Sequence, residues 1–302
     1  MPVKIPSSLP AKAQLESENI SVITNDLIET NGNPSVKVAI LNLMPNKITT
    51  ETQLLRLLGN SPFQVDIELI KLASHISKTT PESHINAFYK PFAEVESQKF
   101  DGFIITGAPI EHLAFEEVNY WDELCRIMNW TLTNAVSTLH ICWGAQAALY
   151  HHYEINKVPL KKKLCGVFPL QPLSKSNVLT SGFDDTFYAP QSRWSGIDEP
   201  ALKACPALEV LASSPEVGMH MAATRNCKQV FVLGHMEYDA DTLANEFKRD
   251  IEKGLNPAVP HNYFPDDCPS NTPAITWRNH ANLFFSNWLN YITFKNQKER
   301  YL

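Results

Sequence analysis

Two hydrophobic periods take turns along this chain. Val36 to Leu43, VKVAILNL, is apolar at almost every position, the pattern of a strand covered on both faces. After Met44-Pro45 the period lengthens. TTETQLLRLLGN places Leu54, Leu55, Leu57 and Leu58 on one helical face and offers Gly59 as the stop. QVDIELI then alternates as a second strand, FDGFIITGAP carries another apolar run into Gly107, and VNYWDELCRIMNWTLTN reads as an amphipathic helix. STLHI is the next strand, ending at Cys142 against an Ala-rich helical stretch. Beyond a Pro-rich middle come the strand QVFVLGH, the helix DADTLANEFKRDIEKGL closed by Gly254, and a last docking helix in TWRNHANLFFSNWLNYITF.

Strands alternating with helices predict an α/β fold with a mostly parallel sheet and helices on both faces. The expected organisation is one domain over residues 1–302, with an N-terminal arm, 1–33, and a C-terminal docking segment, 257–302. In such sheets ligands gather at the carboxyl ends of the strands. That rule selects the loop after FIIT, the corner at Cys142 and the stretch after FVLG.

Composition narrows the functional classes. Hydrophobic residues make up 44% and charged residues 19%, enough apolar content for a sizeable core. The formal net charge of -6 argues against nucleic acid or an anionic membrane as partner, and the only basic knot is Lys161, Lys162 and Lys163. No signal peptide or membrane helix is legible, so a soluble, cytoplasmic protein is expected. The 6 cysteines lack CxxC spacing, which fits reduced thiols better than disulfides or a zinc site.

Cys142 stands where a strand turns sharply into a helix. A residue there projects from the rim of the sheet beside unpaired amides of the first helical turn. Those amides and the helix dipole favour thiolate and can hold an oxyanion, while Gly144 and Ala145 keep the corner uncrowded. A buried structural cysteine opening a core helix has the same local pattern, so a second feature is needed. VLGHMEYD supplies it. His235 and Glu237, two apart on an extended segment, point the same way. A thiol nucleophile requires a base, and the base requires a group to hold its tautomer. A His-x-Glu pair alone is commonly a solvated surface feature; combined with a rim cysteine on an earlier strand it becomes specific.

The order Cys142, His235, Glu237 resembles the class I glutamine amidotransferases, a flavodoxin-like family. Their elbow is Gly-x-Cys-x-Gly, and here His140 stands where the first glycine would be. The whole chain narrows the likeness. LNLMPNKITTETQLLRLLGNSPFQVDIELI, FDGFIITGAP, CWGAQAALY, SGFDDTFYAPQSR, GHMEYDADTLANEFKRDIEKG, NYFPDDCPSNTP and WRNHANLFFSNWLNYITF resemble the homoserine O-acyltransferases of methionine biosynthesis, in order, to about Phe294. The resemblance implies transfer of an acyl group from acyl-CoA to the hydroxyl of L-homoserine through a thioester on Cys142. His235 is then the base and Glu237 its orienting partner. Backbone N–H groups of Trp143 and the Gly107-Ala108 loop are expected to form the oxyanion hole. No cofactor or metal is expected, acetyl-CoA being a co-substrate, and the family suggests a homodimer. No GxGxxG, Walker loop or HExxH occurs.

Substrate positions carry over singly. Arg249 in NEFKRD matches the family's homoserine-binding arginine, a fork suited to an α-carboxylate, although alone it reads as a solvated helix residue. Glu246, three residues earlier on the same face, could meet the substrate ammonium. Lys163 and Ser192 also match substrate positions, although Lys163 alone reads as part of a surface charge run. At Glu111, in TGAPIEHLAF, the family carries Gly with succinyl-CoA and Glu with acetyl-CoA. A carboxylate about 4 Å from a succinyl carboxylate, at an effective dielectric near 20, repels it by roughly 4 kcal/mol. The added methylenes regain only about 0.8 kcal/mol each. An acetyl donor is therefore expected. Succinyl transfer, and more distantly a glutaminase role within a larger amidotransferase, are the alternative activities. A non-catalytic module on the same fold is a further alternative.

Overall fold

The computed structural model describes residues 2–24, 35–75, 77, 79–174 and 176–300, with side chains as far as Lys295. Its parallel part contains β1 (Val3–Ile5), β2 (Val22–Thr24), β3 (Val36–Leu41), β4 (Val65–Lys71), β5 (Tyr89–Pro91), β6 (Phe100–Ile105), β7 (Ala135–Ile141) and, later in the chain, β12 (Gln229–Val232). Between β7 and β12 lie β8 (Lys157–Pro172), β9 (Phe187–Ile197), β10 (Leu208–Ser214) and β11 (Gly218–Thr224). The strand order is β2-β1-β4-β3-β6-β7-β12-β11-β10-β8-β9, with β5 pairing β4. The central order β4-β3-β6-β7-β12 is that of the flavodoxin type, with its reversal between β3 and β6.

Period-two alternation divides the core into two layers. In β3, Val36, Val38 and Ile40 face one layer and Ala39 and Leu41 the other. The first layer is closed by α1 (Ala11–Ser17), α2 (Lys47–Gly59) and, at the end of the chain, α8 (Arg278–Arg300). Opposite them lie α4 (Trp121–Asn134), α5 (Trp143–Tyr153) and α6 (Glu199–Ala204). Helix α3 (Glu82–Phe88) leads into β5, and α7 (Thr242–Glu252) follows β12.

The predicted strands and helices form where the patterns placed them, and three features differ. The N-terminal residues are integrated: β1 pairs in parallel with both β2 and β4, so residues 3–24 extend the sheet rather than forming an arm. Positions 25–33 of the expected arm lie outside the described residues. Helix α2 does end at Gly59, but Gly59 is its last helical residue rather than a left-handed stop, and an added Cβ there would meet Ile20 at 2.8 Å. Gly254 does end α7, with φ +71. Finally, the Pro-rich middle is an antiparallel extension, β8 to β11, whose long β8–β9 pair curls over one end of the sheet's ligand edge.

Helix α8 docks across the sheet as the sequence pattern suggests. Its Trp288 donates from Nε1 to Ser137 Oγ at 3.0 Å. The facing position is Gly102, where a Cβ would lie 2.6 Å from the Trp288 ring.

His140, the departure from the amidotransferase elbow, is a core residue. It is fully buried on β7, stacked on Phe231 with ring centroids 5.1 Å apart, and donates from Nδ1 to Val230 O at 3.2 Å. Burial first, then repulsion from His152, pushes its pKa down to about 3. His220, equally buried, is pushed down to about 3 by burial and then by Arg193 and His235. Both rings are therefore neutral in the native state and titrate normally once unfolded. Their stabilisation is complete above the unfolded value near 6.5 and is lost as pH falls below it. Each costs about 2 kcal/mol between pH 6.5 and pH 5. Urea midpoints should drop steeply over that interval, and His140→Phe should flatten the slope; an unchanged slope would remove His140 from this role.

Candidate active site

The corner after β7 is the fixed point of the site. Cys142 caps the N-terminus of α5 with φ 51 and ψ -117, a region that side-chain-bearing residues seldom occupy. Its amide donates to Val232 O at 2.7 Å, and its carbonyl accepts from Ala145 and Gln146 at 3.0 and 3.1 Å. Helix α5 sits so close to β6 that Gly144 is obligatory. A Cβ there would meet the Thr106 and Ile105 carbonyl oxygens at 2.6 and 2.9 Å. Trp143, as first residue of the helix, has no intrahelical acceptor for its N–H. The Gly107-Ala108 loop after β6 packs against the same corner, with a Cβ on Gly107 falling 3.1 Å from Cys142 Cβ.

The histidine comes from the loop after β12: His235 to Tyr238 form a turn, with the Tyr238 amide donating to His235 O at 3.4 Å, rather than the extended segment expected from the sequence. His235 follows Gly234, where any side chain would strike Gln191 at 2.4 Å and Pro190 O at 2.7 Å. This close approach lets the His235 amide donate to Pro190 O at 2.9 Å and fixes the loop. The imidazole Nδ1 lies 2.7 Å from Glu237 Oε1, and the ring shares its cavity with Cys142. With Nδ1 committed to Glu237, Nε2 is the nitrogen left for the sulfur. Burial opposes charge on this ring, but Cys142 and Glu237 outweigh it and hold the His235 pKa well above its ordinary value. Tyr238 stacks on the imidazole at 4.1 Å between centroids, and its hydroxyl donates to Glu246 Oε1 at 3.0 Å.

A cavity of about 250 Å³ opens above these groups, and Ala108, Glu111, Cys142, Lys163, Ser192, His235 and Arg249 all line it. Glu237 stands behind His235, and Trp143 is fully buried with only its backbone near the corner. All the residues singled out from the sequence therefore converge on one place. Lys163 is turned inward, its ammonium 3.1 Å from both Glu246 Oε2 and Asp250 Oδ2. Ser192 donates to the same Glu246 oxygen. Arg249 lines the cavity but donates from Nε and Nη2 to Asp250 Oδ1, at 3.0 and 2.7 Å. Burial pushes the Asp250 carboxyl up, but Arg249 and Lys163 outweigh it and hold it below its ordinary value. Glu111 lies half-buried in a turn after β6.

Several residues were not legible beforehand. Tyr238 and Asp250 sat inside quoted segments without a distinguishing pattern. Arg193 is 1% exposed and gives its guanidinium to Gln191 Oε1, Ser195 O and Val217 O. Burial lowers its pKa to about 10, against the attraction of Cys142 and Glu199. Only its position between Ser192 and Trp194, on a strand that alternates inward and outward, hints at burial. Among the described residues no cluster of three His, Cys, Asp or Glu could hold a metal ion, and no helix is long and apolar enough to cross a membrane.

Comparison with known proteins bears on the fold and on the family. Two solved structures, glutamine amidotransferases from Thermotoga maritima and Methylobacillus flagellatus, each align with a TM-score of 0.51. They cover 87% and 85% of this chain and 98% and 94% of their own, at 13% and 10% identity, which speaks for the fold alone. Curated relatives named homoserine O-acetyltransferase are far nearer in sequence. The protein of Acetivibrio thermocellus is 54% identical, covering 98% of this chain and 97% of its own. That of Brevibacillus brevis is 52% identical over 98% and 96%. That of Methanomassiliicoccus intestinalis is 50% identical over 98% and 96%. A family model described as homoserine O-succinyltransferase matches residues 2–299, and the chain belongs to that family.

Proposed function

We propose that this enzyme is a homoserine O-acetyltransferase, moving the acetyl group of acetyl-CoA to the side-chain hydroxyl of L-homoserine for methionine biosynthesis. The observation that carries the reading is the enclosure of Cys142, His235 and Glu111 in one cavity. The relatives' names support it independently.

In the first half-reaction His235 takes the Cys142 proton and Sγ attacks the thioester carbonyl carbon. The resulting oxyanion meets the N–H groups of Trp143 and Ala108. Collapse breaks the carbon–sulfur bond to CoA, whose thiolate takes the proton from His235, and leaves acetyl on Cys142. Homoserine enters next. His235 removes its hydroxyl proton, the oxygen attacks the acyl-enzyme, and the Cys142–acetyl bond breaks, returning the thiol with that proton. Glu237 stabilises the imidazolium formed in each half. Arg249 and Lys163 suit the α-carboxylate of homoserine, while Ser192 and Glu246 suit its ammonium end.

Succinyl transfer is the second reading, favoured by the family's description. Glu111 speaks against it, since a succinyl carboxylate entering the same small cavity would face it. Steady-state rates with the two donors separate the readings: acetyl-CoA should be preferred, and Glu111→Gly should narrow the preference by an order of magnitude or more, about what a 1.4 kcal/mol repulsion yields. A succinyl preference in the parent enzyme overturns the assignment of donor. Mass spectrometry after incubation with acetyl-CoA alone should show one added acetyl group, absent in Cys142→Ala. Glu237→Gln should keep the folded state but lose roughly a hundredfold or more in kcat. Glutamate release from glutamine with no acyl transfer would instead identify a glutaminase.

A further inference from the structure

The basic knot on β8 is only partly used by the site described above. Lys163 turns inward, whereas Lys161 and Lys162 remain exposed. The cause is an irregular ladder. Pro159 pairs with Ser195 and Leu164 with Arg193, so residues 160–163 of β8 bulge out opposite a single residue of β9, Trp194. Trp194 is 53% exposed, a large aromatic surface left open beside the catalytic cavity that it also lines.

Beneath this bulge lies a second cavity of about 550 Å³, walled by Leu113, Lys157, Pro159, Leu160 and Trp194 among others. It shares Glu111, His112 and Trp194 with the catalytic cavity, so the two adjoin. Resting on the acetyl-CoA reading, we propose that this groove takes the pantetheine arm of the acyl donor, with Lys161 and Lys162, exposed and next in the chain to its wall residue Leu160, meeting the phosphates. The chemistry matches along its length. The arm is a chain of methylenes and amides, suited to Leu160, Pro159 and the Trp194 face, and it ends in a highly anionic nucleotide.

The protein as a whole carries a formal charge of -6 and repels such a donor, so a local pair of exposed lysines is the feature that can draw it in. Lys157 does not serve this purpose. Its ammonium sits 4.4 Å from the Phe115 ring centroid, donates to Leu113 O and faces Glu111, Glu116 and Glu117. Another cavity, of about 420 Å³, also adjoins the catalytic one through Met44, Pro45, Ala108 and Pro109. Its lysine, Lys47, is spent on the carbonyl oxygens of Asn42 and Met44, and Glu117 adds negative charge. It offers an anion nothing comparable.

The test compares acetyl-CoA with S-acetyl-N-acetylcysteamine, which keeps the thioester and lacks the phosphates. In the doubly substituted Lys161→Glu/Lys162→Glu enzyme, kcat/KM for acetyl-CoA should fall roughly tenfold or more relative to that for the short donor. In the parent enzyme KM for acetyl-CoA should rise with ionic strength while KM for the short donor stays level. Leu160→Asp should raise KM for acetyl-CoA and leave KM for homoserine alone. A donor ratio unchanged by the double charge reversal and by salt overturns the groove assignment. Failure of the parent enzyme to acetylate homoserine with either donor would instead sink the reading on which it rests.

Discussion

The backbone at Cys142 governs the site. A side-chain-bearing residue held at φ 51 and ψ -117 costs about 1–3 kcal/mol, and the chain must recover that elsewhere. It does so through the strand and helix that meet there. The Cys142 amide is bonded to β12, its carbonyl starts the ladder of α5, and Gly144 lets the helix settle against the carbonyl ends of β6. Relaxing the corner into an ordinary strand-to-helix turn would swing the sulfur off the rim. It would also misdirect the free amide of Trp143, so nucleophile and oxyanion donor stand or fall together.

The same constraint explains why the sheet has two halves. The parallel strands β6, β7 and β12 end side by side and deliver the Gly107-Ala108 loop, Cys142 and His235 to one edge. That edge alone would be an open shelf. The antiparallel extension supplies the wall, with β8 and β9 contributing Lys163, Ser192 and Trp194. Helix α7 closes the arrangement through Glu246 and Asp250, which hold Lys163 between two carboxylates. Because Glu246 also accepts from Tyr238, and Tyr238 stacks on His235, the polar wall and the catalytic base are physically connected. Chemistry belongs to the parallel half, and recognition to what is folded over it.

The parallel half was legible in the sequence because its signals are local. A continuous apolar run that stops at a cysteine, or a strand followed closely by Gly-His-Met-Glu, carries its meaning within ten residues. The extension from β8 to β11 was not, since its long antiparallel pairing is set by partners about 30 positions apart and its prolines suppress an obvious strand pattern. Lys163 is instructive. Its neighbours make it look like one of three solvated lysines, and only the bulge in β8 turns it away from them. Arg193 and Asp250 failed to announce themselves for a related reason: burial of a charge is decided by tertiary packing, and the chain's pattern records only that the strand or helix exists. The likeness to homoserine acyltransferases supplied Ser192, and it supplied Lys163 and Arg249 where local reasoning favoured solvent.

On the proposed assignment, the acyl group and the amino acid are read by side chains from different elements, and this separation has a consequence for how the family varies. Glu111 belongs to the loop after β6, whereas Lys163, Ser192 and Arg249 come from β8, β9 and α7. On that assignment, a change at Glu111 would alter the charge and room met by the acyl chain without touching a group proposed to face the amino acid. The triad is likewise untouched, since Cys142 and His235 are anchored by β7 and β12 rather than by that loop. On that assignment, one scaffold would change acyl donor through a single side chain while keeping its acceptor. That is a physical reason for a family described by succinyl transfer to contain relatives named for acetyl transfer at 50% identity and above.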